Sequence, residues 1–180
     1  MNIPFLRPDD TIVTDRVFVI SDTHWFHDNI IRYCQRPADH DDQMVECWNA
    51  VVSDSDIVLH LGDLMLGKRD RFEDEVAPIL NGRKFLIKGN HDKQSNAWYA
   101  SVGFPVIAPF SGTYNGVTIH FSHYPLDDKH PKHVNIHGHI HRGEHHRGTT
   151  DPSAGFRNVG VEVMDYTPYP LDALLREATR

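Results

Sequence analysis

Val17-Phe18-Val19-Ile20-Ser21-Asp22-Thr23-His24 sets four consecutive apolar residues directly against a polar quartet containing a carboxylate and an imidazole. A short apolar run of this kind reads as a buried strand, and the abrupt change places Asp22 and His24 just beyond its carboxyl end. The pattern recurs along the chain. Ile57 to Leu61 runs into Gly62-Asp63, and Lys84 to Lys88 runs into Gly89-Asn90-His91-Asp92. Val117 to Phe121 leads to Ser122-His123, and Val134-Asn135-Ile136 leads to His137-Gly138-His139-Ile140-His141. In α/β sheets, ligands bind in the crevice outside the carboxyl ends of the strands. Five clusters distant in sequence are therefore expected to converge in space. Gly62, Gly89, Gly138 and Gly160 flank these clusters or sit in the last expected strand, where a missing Cβ permits a tight turn or close approach to a bound group.

Between the strands lie amphipathic stretches. Residues 28–35 read as a helix with Ile30, Ile31 and Cys34 on one face, stopped by Pro37. Residues 40–53 read as a second, with Asp39 as its N-cap, and 70–80 as a third whose last turn Pro78 weakens. The resulting order β-α-α-β-α-β predicts a largely parallel sheet. The second half differs. Tyr114-Asn115-Gly116-Val117 is a hairpin turn joining two antiparallel strands. A Gly-, His- and Thr-rich loop fills 142–155, Asn158 to Val163 reads as a last strand, and 170–178 as a closing helix. The class is thus α/β with a mixed, partly antiparallel second half.

Composition narrows the function. At 180 residues the chain has the length of one domain, with 39% apolar and 24% charged residues and a mean hydropathy of −0.47. No apolar run approaches the roughly 20 residues of a membrane span, and residues 1–20 carry no secretory pattern. Cys34 and Cys47 are the only cysteines, which excludes a disulfide scaffold or a four-thiolate zinc site. A cytoplasmic protein without membrane attachment is expected. A net charge of −7 argues against stable binding of duplex DNA, which needs clustered cations. The 14 histidines point to metal chemistry instead. Imidazole and carboxylate ligands suit Mn, Fe, Zn, Ni or Co. Asp22, His24, Asp63, Asn90, His123, His139 and His141 are seven candidate ligands, more than one ion takes. Two divalent ions sharing a bridging carboxylate would use them all, and such pairs clamp the attacking and leaving oxygens of a phosphoryl transfer.

Taken together, Ser21-Asp22-Thr23-His24, Leu61-Gly62-Asp63, Gly89-Asn90-His91-Asp92, Ser122-His123 and Gly138-His139-Ile140-His141 resemble the five motifs of the calcineurin-like metallophosphoesterases, in the family's order. The stretch from Ser21 to Ile31 is similar to a compact bacterial and phage subgroup. The resemblance implies a four-layer α/β-β/α sandwich, two mixed sheets flanked by helices, in one domain over residues 1–180. It implies that Asp22, His24 and His141 bind a first metal, that Asn90, His123 and His139 bind a second, and that Asp63 bridges them. His91 would contact the substrate phosphate or protonate the leaving oxygen, with Asp92 orienting it. The implied activity is hydrolysis of phosphoric esters by a metal-activated water, with manganese as the expected pair. No insertion of cap-domain size separates the motifs, so a phosphodiester of nucleotide or nucleic-acid origin is the expected substrate. A phosphomonoesterase, a dinucleoside polyphosphate hydrolase and a non-catalytic scaffold are the alternatives.

Other residues carry weaker signals. His27, three residues after His24, reads as a rim or substrate group. His60 and His120 lie inside strands and read as hydrogen-bonded core or interface groups, and His137 as a residue packed beneath the site. His145 and His146, with Arg142 and Arg147, read as a solvated loop near the last ligand, and His40, His130 and His133 as surface groups. Arg32, Lys68 and Arg69 are cations that could meet a phosphate or base. Trp25 and Phe26 read either as an aromatic wall or as core cover, Trp48 and Trp98 as core. Tyr166 to Pro170 reads as a homodimer edge or as a segment packed on the sheet.

Overall fold

The computed structural model describes residues 3–126, 133–142 and 155–179. His130, His145, His146, Arg147 and most of the 142–155 loop lie outside the described residues. Three apolar runs form adjacent parallel strands, β1 (Val17–Ile20), β2 (Ile57–His60) and β3 (Arg83–Ile87). A short β4 (Val106–Ile107) extends this sheet beyond β3. The second sheet holds β5 (Phe110–Tyr114), β6 (Val117–Phe121), β7 (His133–His137) and β8 (Phe156–Asn158) in that order. β5 and β6 form the expected hairpin, with Asn115 and Gly116 both at positive φ, and β6, β7 and β8 run parallel. The segment β9 (Tyr169–Pro170) pairs antiparallel with β1 and forms the outer edge of this sheet, packed on it as one of its two readings expected.

Alternation along the strands builds two cores. Val17, Val19, Leu59, Phe85 and Ile87 face the second sheet and meet Ile119, Phe121, Val134 and Ile136. Ile20, Val58 and Leu86 face the other way, toward Met44 and Trp48 of α2 (His40–Val51), Phe72, and Tyr99 of α4 (Asn96–Ser101). Each fully buried side chain of this size contributes about 1.5–3 kcal/mol. The closing helix α5 (Leu171–Ala178) lays Leu171, Leu174 and Leu175 into the intersheet core. The architecture is two mixed sheets flanked by helices.

Local departures from the sequence reading have physical causes. The first helix shrinks to α1 (Ile30–Tyr33). Asp39 sits at the N-cap of α2, but its side chain caps nothing; only its carbonyl accepts from Gln43. The third helix is a single α-turn, α3 (Arg69–Arg71), followed by a π-turn over Phe72–Val76 in which Ala77 N–H reaches back to the Phe72 carbonyl. Pro78 lacks the N–H that would continue an α-helix, and the preceding turn widens before the chain leaves it. The expected strand over 158–163 ends at Asn158. Val159 and Val161 pair with Ser21 instead, and Val163 and Met164 turn back on the Gly160 carbonyl. Val163 is accordingly exposed.

Candidate metal centre

The loops after β1, β2, β3, β6 and β7 meet where the two sheets are stitched together. Ser21 N–H donates to the Val159 carbonyl and Val161 N–H to the Ser21 carbonyl, tying the end of β1 to the chain leaving β8. Asp22 and His24 amides donate to the carbonyls of Gly62 and Asp63, which joins the first loop to the second. The His139 amide donates to both oxygens of Asp22, at 3.0 and 2.9 Å, across the seam. Gly138 makes this approach possible: a Cβ there would overlap Ser21 and the Asp22 carboxylate.

Two groups of ligand atoms result. Asp22, His24 and His141 form one, and Asp63, His123 and His139 the other, with the donor atoms of each lying within 4.8 Å of one another. Asn90 joins the second group, its Oδ1 lying 3.1 Å from His123 Nε2. Asp63 faces both, its Oδ2 being 3.6 Å from His24 Nε2 and 3.4 Å from His123 Nε2. Five of these residues, Asp22, His24, Asp63, His139 and His141, hold a left-handed backbone with φ between 46° and 71°. That conformation costs a non-glycine residue about 1 kcal/mol or more and persists where its surroundings impose it.

The donor set fits divalent cations. His24 is 2% exposed, yet neither ring nitrogen has a hydrogen-bond partner. A buried imidazole without partners is costly unless it serves as a ligand. His123 and His141 are aimed by their second nitrogens. His123 Nδ1–H donates to the Leu61 carbonyl at 2.8 Å, which leaves Nε2 for a metal.

Glu162, which sequence reasoning passed over as strand, supports His141 in the same way, its Oε1 lying 3.0 Å from His141 Nδ1. Its partner Arg36 was passed over too. The buried guanidinium donates to Glu162 at 2.6 Å and to the carbonyls of Thr23 and Asp22 at 2.5 and 2.6 Å. Arg36 therefore clamps the first loop to the carboxylate that aims His141. The lone charge in Val159-Gly160-Val161-Glu162-Val163 was the available signal, since a carboxylate in an apolar run demands a cation. Cys34 also gathers with His141 and Glu162. The adjacent guanidinium repels a cation there, so Cys34 acts as lateral support for His141. The variant Glu162→Gln should weaken metal binding at the first group about 10–100-fold while sparing the second, which stepwise manganese titration by calorimetry resolves.

The pKa pattern sets the pH response. Burial brings His24 down to about 3, so it is neutral and ready to ligate. For His141 burial acts downward, but Cys34, Glu162 and Asp22 outweigh it and push the group up to about 10. His123 is raised as well, burial being outweighed by its hydrogen bond and charge attraction to Asp63. Metal must displace these protons, so affinity should climb with pH, about tenfold per unit for each proton displaced, until His141 is neutral near pH 10. Protonated His141 stabilises the metal-free fold in full below pH ~6.5, and this contribution fades as pH rises toward about 10. Proton release on manganese binding, measured in buffers of different ionisation enthalpy, checks the sign.

His91 and Asp92 also take defined places. The His91 ring stands 5.3 Å from that of His24, and its amide donates to Asp63 Oδ1 at 2.8 Å. Both Asp92 oxygens are taken by the amides of Asp63, Gly89 and Leu64 and by the Tyr99 hydroxyl. Asp92 therefore shapes the loop carrying His91, and orients that ring through the backbone rather than by touching it. His27 packs 5.8 Å from His24, outside both ligand groups.

His60 is a buried core group, its Nδ1 accepting from Gly62 N–H and its Nε2 bonded to Thr23 Oγ1. His120 hydrogen-bonds Ser111 and His133, and His137 is buried with Nδ1 at the Gly138 carbonyl. His40 is buried, donating to the Pro37 carbonyl, and is not a surface group. Trp25 covers the core, and Trp98 is half-buried with its Nε1–H on Glu73. Arg32, Lys68 and Arg69 stay exposed, Arg69 over the Trp98 ring.

Known proteins share this sequence pattern and fold. An uncharacterized protein of Methanocaldococcus jannaschii is 37% identical over 172 residues, 89% of this chain and 90% of that one. The gene 66 protein of Mycobacterium phage D29 is 42% identical over 57 residues, covering 31% of this chain and 29% of that one. A crystal structure of a protein of unknown function from Aquifex aeolicus superposes with a TM-score of 0.72 at 26% identity, over 89% of this chain and 98% of that one. The sequence pattern of the calcineurin-like phosphoesterases matches residues 15–177, and the chain belongs to that family.

Proposed function

We propose that this protein is a phosphodiesterase working with two divalent cations, most readily manganese, on a nucleotide or nucleic-acid-derived diester. The supporting observation is the single carboxylate of Asp63 facing both ligand groups, at 3.6 Å from one imidazole and 3.4 Å from another. Divalent cations held there would supply Lewis acidity and a lowered pKa for water. The chain's own residues do the rest. Asp63 lies well below the usual carboxylate range: burial acts upward, but is outweighed by the His123 hydrogen bond and charge, the His91 amide and His24. It is thus ionised at any working pH. Asn90 offers a neutral oxygen, which limits negative charge where a phosphate must enter. His91, half-buried beside His24, is placed to give a proton to the leaving oxygen. Such general-acid help is worth about 10²–10⁴-fold.

No helix among the described residues is long and apolar enough to cross a membrane. Cys34 and Cys47 are both free thiols, which favours a cytoplasmic setting. The test is hydrolysis of a chromogenic phosphodiester beside its monoester, on metal-stripped protein and again with manganese restored. Manganese-dependent turnover favouring the diester is the expected result, and His91→Ala should lose about 10²–10⁴-fold with metal content retained. Faster monoester turnover would make the protein a phosphatase. No turnover with any metal would favour a scaffold.

A further inference from the structure

Six large apolar side chains are exposed among the described residues, and the two aromatic ones both lie on the side of the metal centre, Tyr124 in contact with it and Tyr33 one residue removed through His27. Tyr33, at the end of α1, is 73% exposed; its ring meets His27 edge-on at 6.2 Å, and His27 in turn meets His24 at 5.8 Å. Tyr124 follows His123 and is 50% exposed, with its ring 4.4 Å from His139 and 5.1 Å from His123. One tyrosine thus lies on the side of the first ligand group, through His27, and the other against the second, and the Asp63 carboxylate faces both groups. Neither ring is needed by the two cores, and neither belongs to them.

From this placement we infer that Tyr33 and Tyr124 are two base-stacking platforms, and that the substrate is an internucleotide linkage in a short single strand. The inference rests on the diesterase reading above and narrows its substrate. An internucleotide phosphodiester carries one nucleoside on each ester oxygen. Seated over both ligand groups, it presents a base to each tyrosine. A cyclic nucleotide or a monoester has one nucleoside and leaves one platform idle. Stacking on an exposed ring requires an unstacked base, which single strands offer and duplexes do not. The net charge of −7 disfavours long strands, whose binding depends on many cationic contacts. A tyrosine face accepts any base, so the preference is for strand type rather than sequence.

The test uses thymidylyl-thymidine and a 2′,3′-cyclic nucleotide as substrates, with Tyr33→Ala, Tyr124→Ala and the corresponding phenylalanine variants, all loaded with manganese. Each alanine variant should raise KM for the dinucleotide about tenfold, and phenylalanine should restore it, because the ring face rather than the hydroxyl does the stacking. Fluorescence anisotropy with a labelled phosphorothioate-linked thymidine trinucleotide should show the same loss of affinity, with metal content unchanged. The inference is overturned if dinucleotide KM and trinucleotide affinity stay put in both alanine variants, or if only one tyrosine matters and the cyclic nucleotide is preferred. If the parent protein cleaves the chromogenic diester but not the dinucleotide, this inference fails while the diesterase reading stands. If it cleaves neither, both fall.

Discussion

If the protein works with two cations as proposed, Asp63→Asn should reduce kcat/KM for phosphoester hydrolysis by about a thousandfold or more and lower bound manganese from two ions per chain to one or none. The residue stands between the ligand groups, and its carboxylate is the negative charge that both would share. Asparagine keeps the shape and can still accept the His91 amide, so the loop should hold. What disappears is the charge that offsets repulsion between two closely spaced cations, together with one of the two anionic oxygens. The loss therefore lands on metal content and turnover together, and the melting temperature of the metal-free protein should fall as well, because the His123 contact that keeps Asp63 ionised also stabilises the fold. Metal analysis beside kinetics separates this outcome from that of His91→Ala, in which activity falls and metal stays. Two ions retained in Asp63→Asn would remove the bridging role.

Gly138→Ala should be strongly damaging for a single added methyl. The added carbon would overlap the Ser21 hydroxyl and the Asp22 carboxylate and stand 2.6 Å from Ser21 Cβ, and both residues are fully buried. Neither can retreat. Ser21 is held by paired backbone bonds to the chain after β8, and Asp22 by the His139 amide. Overpacking of this kind costs about 1–3 kcal/mol, and relief by pushing Asp22 aside dismantles the first ligand group. The expected readouts are a drop in melting temperature and loss of the manganese step at the first ligand group. Gly116→Asn serves as the control. Its Cβ meets nothing within 4 Å, and asparagine tolerates the positive φ of that turn, so it should be nearly neutral.

The convergence of the candidate ligands was legible because each one follows an apolar run, and a run of β-branched and aliphatic residues is a strong local signal. Val17 to His24 could be read without knowing what lay across the sheet. The supports were not legible for the same reason reversed. Arg36 and Glu162 are 126 residues apart, and nothing near either one announces the other. Reading 158–163 as strand followed the alternation of Val159, Val161 and Val163. The fold overrides that pattern, because the chain has to turn at Gly160 to bring Glu162 beneath His141. Trp25 could be wall or core from sequence. Its amide bond to the Leu64 carbonyl decides the matter by folding it inward. The left-handed backbone at Asp22, His24 and His141 had no sequence mark, since aspartate and histidine tolerate that conformation more readily than most residues but do not require it.

The bond from His139 to Asp22 spans 117 residues, and this bears on when a growing chain could acquire its metal. A chain leaving the ribosome exposes Asp22 and His24 long before His141 and Glu162 are synthesised. The first ligand group is then only half present. Isolated aspartate and histidine pairs bind whichever ion ranks highest in intrinsic affinity, copper ahead of manganese. Closing the group late, with both sheets already formed, leaves the choice to a finished cage whose shape can discriminate. Selection of the metal would then wait until the chain has been made as far as Glu162.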